Sequence, residues 1–173
     1  FRSRLKALHL VPMALSYEFD PCDYLKAQEF QQKRDIEGFK KSPMDDLINM
    51  QTGIFGFKGR ICFRMGHCID EWLDTLPADM PKTEIFTAIA EHIDKEIHRS
   101  YELYPINYVA ADLLKEGDKY ASHYNAEEKK ACEEYIESRI GMVQLPHPDV
   151  PFLRERLLTM YAYPVFNNEA ANA

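Results

Sequence analysis

Ten residues, Leu10 to Phe19 (LVPMALSYEF), limit the folds open to this chain more than any other stretch. The run is unbroken in apolar residues from Leu10 to Leu15. It then alternates, with Tyr17 and Phe19 apolar and Ser16 and Glu18 polar. A short apolar run of this kind, bounded by turn signals, reads as a strand buried on both faces. Pro12 near its start removes a single ladder donor, where a sheet tolerates the loss best. Asp20-Pro21 ends the run. A strand buried on both faces needs parallel neighbours, and parallel neighbours need helical crossovers. The chain offers few other strands, so the expected sheet partners lie upstream of Phe1, in an N-terminal half outside these residues.

Helical patterns dominate the remainder. Residues 22–34 (CDYLKAQEFQQKR) are strong helix formers, with Asp20 or Asp23 available as a cap. Ser42-Pro43 opens a second helix, with Asp45 and Asp46 in its first turn, running to about Gly53. The segment GIFGFKG, residues 53–59, reads as a helix end leading into a strand, or as a nest of backbone amides for an anion. Residues 60–66 (RICFRMG) alternate as a second strand, with Ile61, Phe63 and Met65 on one side and Arg60, Cys62 and Arg64 on the other. Helices follow at 69–76, 82–104, 107–116, 126–140 and about 151–162, and NNEAANA reads as a frayed end. In the 82–104 helix Ile85, Ile89, Ile93 and Ile97 form the apolar stripe. The expected fold class is α/β: the C-terminal part of a mixed sheet, with strands near 10–19 and 60–66, followed by a mostly α-helical extension. The expected division falls between 1–68 and 69–173.

Charge narrows the function. Across 173 residues the formal net charge is −7, which argues against nucleic acid held on a broad basic face. Basic residues concentrate in the first third, at Lys40, Lys41, Lys58, Arg60 and Arg64 among others, which leaves room for a local anion site. Cys22, Cys62, Cys68 and Cys132 show no CxxC spacing, so free thiols in a reducing, cytoplasmic compartment are expected. No apolar run reaches the ~20 residues of a membrane span, though peripheral membrane contact stays open.

The six histidines invite metal and acid–base readings. His92 and Glu96 are four apart on one helix, with His98 beyond them. Cys62, His67 and Cys68 are close in sequence but lack a second ligand pair at zinc spacing. Neither group is expected to hold a metal, and no cofactor is expected. Cys68 after His67 could be a thiolate nucleophile only with an oriented base. No GxSxG, Walker A or HExxH motif occurs.

Residues 5–59 carry a more specific pattern. The phrase VPMALSYEFDPCDYLKAQEFQQKRD, Val11 to Asp35, is followed by Lys40 to Leu47 (KKSPMDDL) and Met50 to Arg60 (MQTGIFGFKGR). Together they resemble the Bacteroides-type glycerol acyltransferases of the glycerol-3-phosphate and lysophosphatidate acyltransferase family. Val11-Pro12 matches the fourth conserved block of that family. The resemblance implies transfer of a fatty acyl group from acyl-CoA or acyl carrier protein to a glycerol-type hydroxyl. In the family an HxxxxD motif supplies the general base and the carboxylate that orients it. The residues five beyond the histidines here are Ala14, Trp72, Ile97, Leu103, Glu128 and Phe152. None is Asp, and no Glu-Gly-Thr block occurs. The expectation is therefore a fragment without the catalytic half. Val11 and Pro12 would shape the acceptor or acyl site, and Arg60 and Arg64 would contact an anion. The alternative is a non-catalytic helical docking module built on the residues after 68.

Overall fold

The computed structural model describes residues 1–173. Its elements run α1 (Arg2–Lys6), β1 (Met13–Tyr17), α2 (Asp23–Asp35), α3 (Pro43–Phe55), β2 (Ile61–Met65), α4 (Asp70–Thr75), α5 (Lys82–Arg99), α6 (Pro105–Lys115), a 3-10 turn (Ala121–His123), α7 (Ala126–Ile140) and α8 (Val150–Asn172). The chain is mixed α/β but mostly helical, with a single two-stranded sheet. Its contacts group into two units. One comprises Phe1–Ser16, Cys62–Glu102 and Phe166–Ala173; the other comprises Tyr17–Ile61 and Leu103–Val165.

The pairing corrects the reading of Leu10–Phe19. The strand is shorter, Met13–Tyr17, and it pairs antiparallel with β2 rather than parallel with anything. Gly66 N–H donates to Pro12 C=O at 2.8 Å, and Glu18 N–H donates to Arg60 C=O at 2.9 Å. That register sets Met13 opposite Met65, Leu15 opposite Phe63 and Tyr17 opposite Ile61. Nor is β1 buried on both faces. Pro12, Ala14 and Ser16 are buried, whereas Val11, Met13, Leu15 and Tyr17 are exposed. The covered face thus carries the small side chains and the open face the large apolar ones. An unbroken apolar run has no polar positions to mark which face meets water, so sequence alone reads it as doubly buried.

In the first unit, the core gathers Ile69, Leu73, Ile85 and Ile89, with Leu5, Leu10, Trp72, Leu76, Met80 and Ile93 packed around them. The isoleucine stripe of α5 does face this core, but only Ile85 and Ile89 are fully covered. A four-residue step overshoots the 3.6-residue turn, so the stripe winds away along the helix. Helix α5 stops at Arg99, five residues earlier than its pattern predicts.

In the second unit, α6 packs on α7, and α2 also meets α7. Ile106, Val109, Ile136, Leu153, Leu157 and Val165 fill the interior. Ser42 closes a capping box with Asp45, as the Ser-Pro signal predicts. Asn125 does the same with Glu128 at the start of α7. Helix α8 overrides its sequence signals. Pro164 removes a helical donor and costs about 3 kcal/mol in an ordinary helix interior, yet the helix continues to Asn172. Tyr161, Ala162 and Val165 around the proline are all buried. At the far end, Arg99 Nε donates to Ala171 C=O at 2.7 Å, and Asn168 Nδ2 donates to His98 C=O at 2.8 Å. Residues expected to fray are held by these bonds.

Candidate functional site

The stretch from Val11 to Asp35 folds around a carboxylate. Asp23 opens α2, and its side chain is fully enclosed. Oδ1 accepts from Arg139 Nε at 2.6 Å and from Tyr24 N–H at 2.6 Å. Oδ2 accepts from Tyr161 Oη at 2.7 Å and Tyr135 Oη at 2.9 Å. Arg139 also donates to Pro21 C=O at 2.8 Å, and Tyr161 Oη accepts from Asp20 N–H at 3.0 Å. Burial, then the nearby Asp23 charge, pushes both tyrosine hydroxyls above their ordinary range. They therefore stay protonated and donate. An enclosed carboxylate with its acceptor positions filled has no access to a substrate. Its role is to fix the Asp-Pro turn and the start of α2 against α7 and α8.

Arg60 lies in the same unit and is already engaged. Its Nη2 donates to Glu18 Oε1 at 2.8 Å, while its Nε and backbone N–H each donate to Glu18 Oε2 at 3.0 Å. The guanidinium also lies 4.8 Å from the Tyr104 ring centre. Hydrogen bonds from Arg60 outweigh burial and hold the Glu18 carboxyl below the usual carboxylate range. Arg64 lies in the other unit. It pairs with Glu102 and donates to Tyr101 C=O at 3.5 Å. Each arginine thus carries a carboxylate, and a phosphate would have to displace it. Val11 and Pro12 flank the start of β1, with Val11 exposed and Pro12 buried. The structure places Val11, Pro12 and Arg64 in one unit and Arg60 in the other.

The glycine segment is a helix end, not an anion nest. Gly56 caps α3 in an extended conformation. Lys58 Nζ donates to Ile54 C=O at 3.1 Å and to Gly56 C=O at 2.9 Å. Carbonyls therefore converge on a cation here, as the negative end of a helix favours. Gly59 has φ +62°, and a Cβ there would lie 2.7 Å from Glu18 Oε2 and 2.8 Å from Phe19 Cδ2. Gly59→Ala is expected to cost about 1–3 kcal/mol, from the left-handed backbone and the displaced Glu18 carboxylate. Urea unfolding reads the loss, and an unchanged midpoint would refute it.

A cavity of about 260 Å³ opens between α2 and α3, lined by Tyr24, Gln28, Glu29, Phe39, Ile48 and Asn49 among others. The Glu29 carboxylate is held by Lys33 at 2.7 Å and by Lys41. None of the four sequence-predicted residues lines it.

The histidine groupings resolve differently from their spacing. His92 stacks flat on Trp72, ring centres 4.0 Å apart, and burial lowers its pKa. Glu96 pairs with Arg99 at 3.3 Å. The pair His92 and Glu96 is thus divided between other partners. Instead, His9, Cys68 and Asp70 come together, with their ligating atoms all within 4.8 Å of one another. His9 Nδ1 lies 2.6 Å from Asp70 Oδ2. The backbone bond from Ile69 N–H to Leu10 C=O, 3.0 Å, creates this meeting across some sixty residues of chain. No spacing rule reaches that far.

Compared with protein-family models, curated proteins and solved structures, the chain gives no match.

Proposed function

We propose that this chain is the non-catalytic portion of a glycerolipid acyltransferase, and that a segment outside these residues supplies its His-Asp pair. The observation that carries the reading is the open face of the strand pair. Val11, Met13, Leu15, Phe63 and Met65 are 37% to 66% exposed, and Val11 belongs to the Val-Pro block through which the resembled family would shape its acceptor or acyl site. Scattered exposed apolar residues are ordinary, but a contiguous row on one sheet face suits a covering layer or an acyl chain. The absence of HxxxxD agrees with this division of labour. The donor would be acyl-CoA or acyl carrier protein, and the acceptor a glycerol-type hydroxyl.

Peripheral membrane contact fits the same reading. Helix α3 has no buried residue, and Met44, Leu47, Ile48, Ile54 and Phe55 recur along one side of it, all exposed. Lys40, Lys41 and Lys58 flank that helix in sequence, and cations beside an exposed apolar helix face favour an anionic lipid surface.

One experiment addresses both parts. Chain 1–173 is mixed with palmitoyl-CoA and anionic vesicles containing lysophosphatidate, and a longer product of the same gene that carries HxxxxD is assayed beside it. The chain alone is expected to sediment with the vesicles and transfer no acyl group, while the longer product transfers it. Turnover by the chain alone would overturn the division of labour. An inactive longer product would overturn the acyltransferase reading, and a chain left in the supernatant would overturn membrane contact.

A further inference from the structure

We propose that His9, Cys68 and Asp70 bind a borderline divalent transition ion, zinc(II) above all, and thereby clamp the residue after α1 to the start of α4. The donor set is an imidazole nitrogen, a thiolate sulfur and a carboxylate oxygen, each a customary zinc ligand. With bonds of about 2.0–2.3 Å, a tetrahedral ion holds its ligands roughly 3.3–3.7 Å apart. The three atoms already lie within 4.8 Å of one another. Small side-chain rotations would draw in the wide separations and open the 2.6 Å His9–Asp70 contact.

The backbone beneath the site is fixed. Ile69, between Cys68 and Asp70, is 1% exposed, and its N–H is bound to Leu10 C=O beside His9. Lys6 pairs with Asp74 at 2.6 Å, and Arg2 Nη1 donates to Leu76 C=O at 2.7 Å, so α1 is tied to α4 by further contacts. The His9 side chain is 76% exposed, which leaves a path for the ion and room for water as a fourth ligand.

A second observation points the same way. Asp70 Oδ1 is buried and has no hydrogen-bond partner. Such oxygens are uncommon because the lost hydration is not replaced, and a cation supplies the missing partner. The arrangement also disfavours nucleophilic chemistry. In a thiol–imidazole nucleophile the imidazole separates the thiol from the carboxylate. Here the Asp70 carboxylate lies within 4.8 Å of both the His9 ring nitrogen and the Cys68 sulfur, so the imidazole does not separate the other two. On binding, the Cys68 S–H bond gives its proton to solvent, the sulfur pair forms the metal bond, and neither partner changes oxidation state.

The test uses chain 1–173 freed of metal by a chelator and titrated with cobalt(II), then zinc(II). One ion per chain is expected, with thiolate-to-cobalt absorption that zinc abolishes. Zinc should also raise the thermal midpoint. Cys68→Ser should remove the absorption, weaken zinc binding at least about 100-fold, and cancel the thermal shift. His9→Ala and Asp70→Asn should each weaken binding about 10-fold or more. Cys62→Ser and His67→Ala should bind as the parent does. Absence of cobalt absorption at one equivalent would overturn the proposal. So would binding that survives both Cys68→Ser and His9→Ala, or that depends on Cys62 or His67. His9→Ala alters an exposed side chain, so the proposal does not depend on how Cys68→Ser folds.

Discussion

Asp23→Asn is expected to lower the free energy of unfolding by about 3–5 kcal/mol, the cost of leaving one member of a buried ion pair without its partner. The substitution preserves shape and removes charge. It strands the Arg139 guanidinium, whose side chain is only 14% exposed. It also replaces an acceptor oxygen with an N–H₂ group facing donors. Tyr135 and Tyr161 both donate to Asp23 Oδ2, so whichever orientation the amide takes, at least one donor loses its acceptor. Urea denaturation of parent and variant measures the difference, and a loss under about 1 kcal/mol would show that the pair is not an uncompensated buried charge once broken. A cycle with Arg139→Gln sharpens the result. The double variant should lose less than the two single variants combined, because the second change removes the charge the first one strands.

The same cluster sets an alkaline limit. Tyr135 and Tyr161 have folded pKa values raised by burial and by Asp23. A raised folded pKa contributes stability that is fully present below the unfolded value, about 10 for tyrosine. Above that pH the unfolded chain releases protons that the folded chain keeps, so stability falls as pH rises. Tyr161→Phe should be less stable at pH 7 and lose less between about pH 9 and 11. A parent profile flat over that range would contradict the role given to these hydroxyls.

Leu73→Ala is expected to cost about 2–5 kcal/mol in the first unit. Leu73 is 0% exposed and meets Ile69, Ile85 and Ile89. Truncation removes its transfer free energy and leaves a void that short α4 is poorly placed to close. A thermal midpoint within a degree of the parent would show that the site collapses freely.

Both variants concern residues whose importance the sequence marks unequally. Leu73 is legible. It falls in a short apolar helix pattern, and local periodicity identifies the α5 stripe that covers it. The caps at Ser42 and Asn125 are equally local, because a side chain three residues from its acceptor needs no tertiary help. Asp23 was legible only as a helix cap. Its partners Tyr135, Arg139 and Tyr161 lie more than a hundred residues onward, and nothing nearby in the chain distinguishes a buried acid from a solvated one. The same holds for Arg60 and Arg64. Alternation places them on one side of β2, but the carboxylates that engage them belong to Glu18 and Glu102.

What the sequence by itself determined was each element that local energetics can specify: which stretches become helix, where most begin, and that two short segments become strand. Tertiary structure decided three other things. It left the large side chains of β1 open and covered the small ones, carried α8 past Pro164, and brought His9 to Cys68 and Asp70. The physical reason is common to all three. Burial and long-range hydrogen bonds are properties of pairs distant in sequence, and together their contributions exceed the local preferences they override.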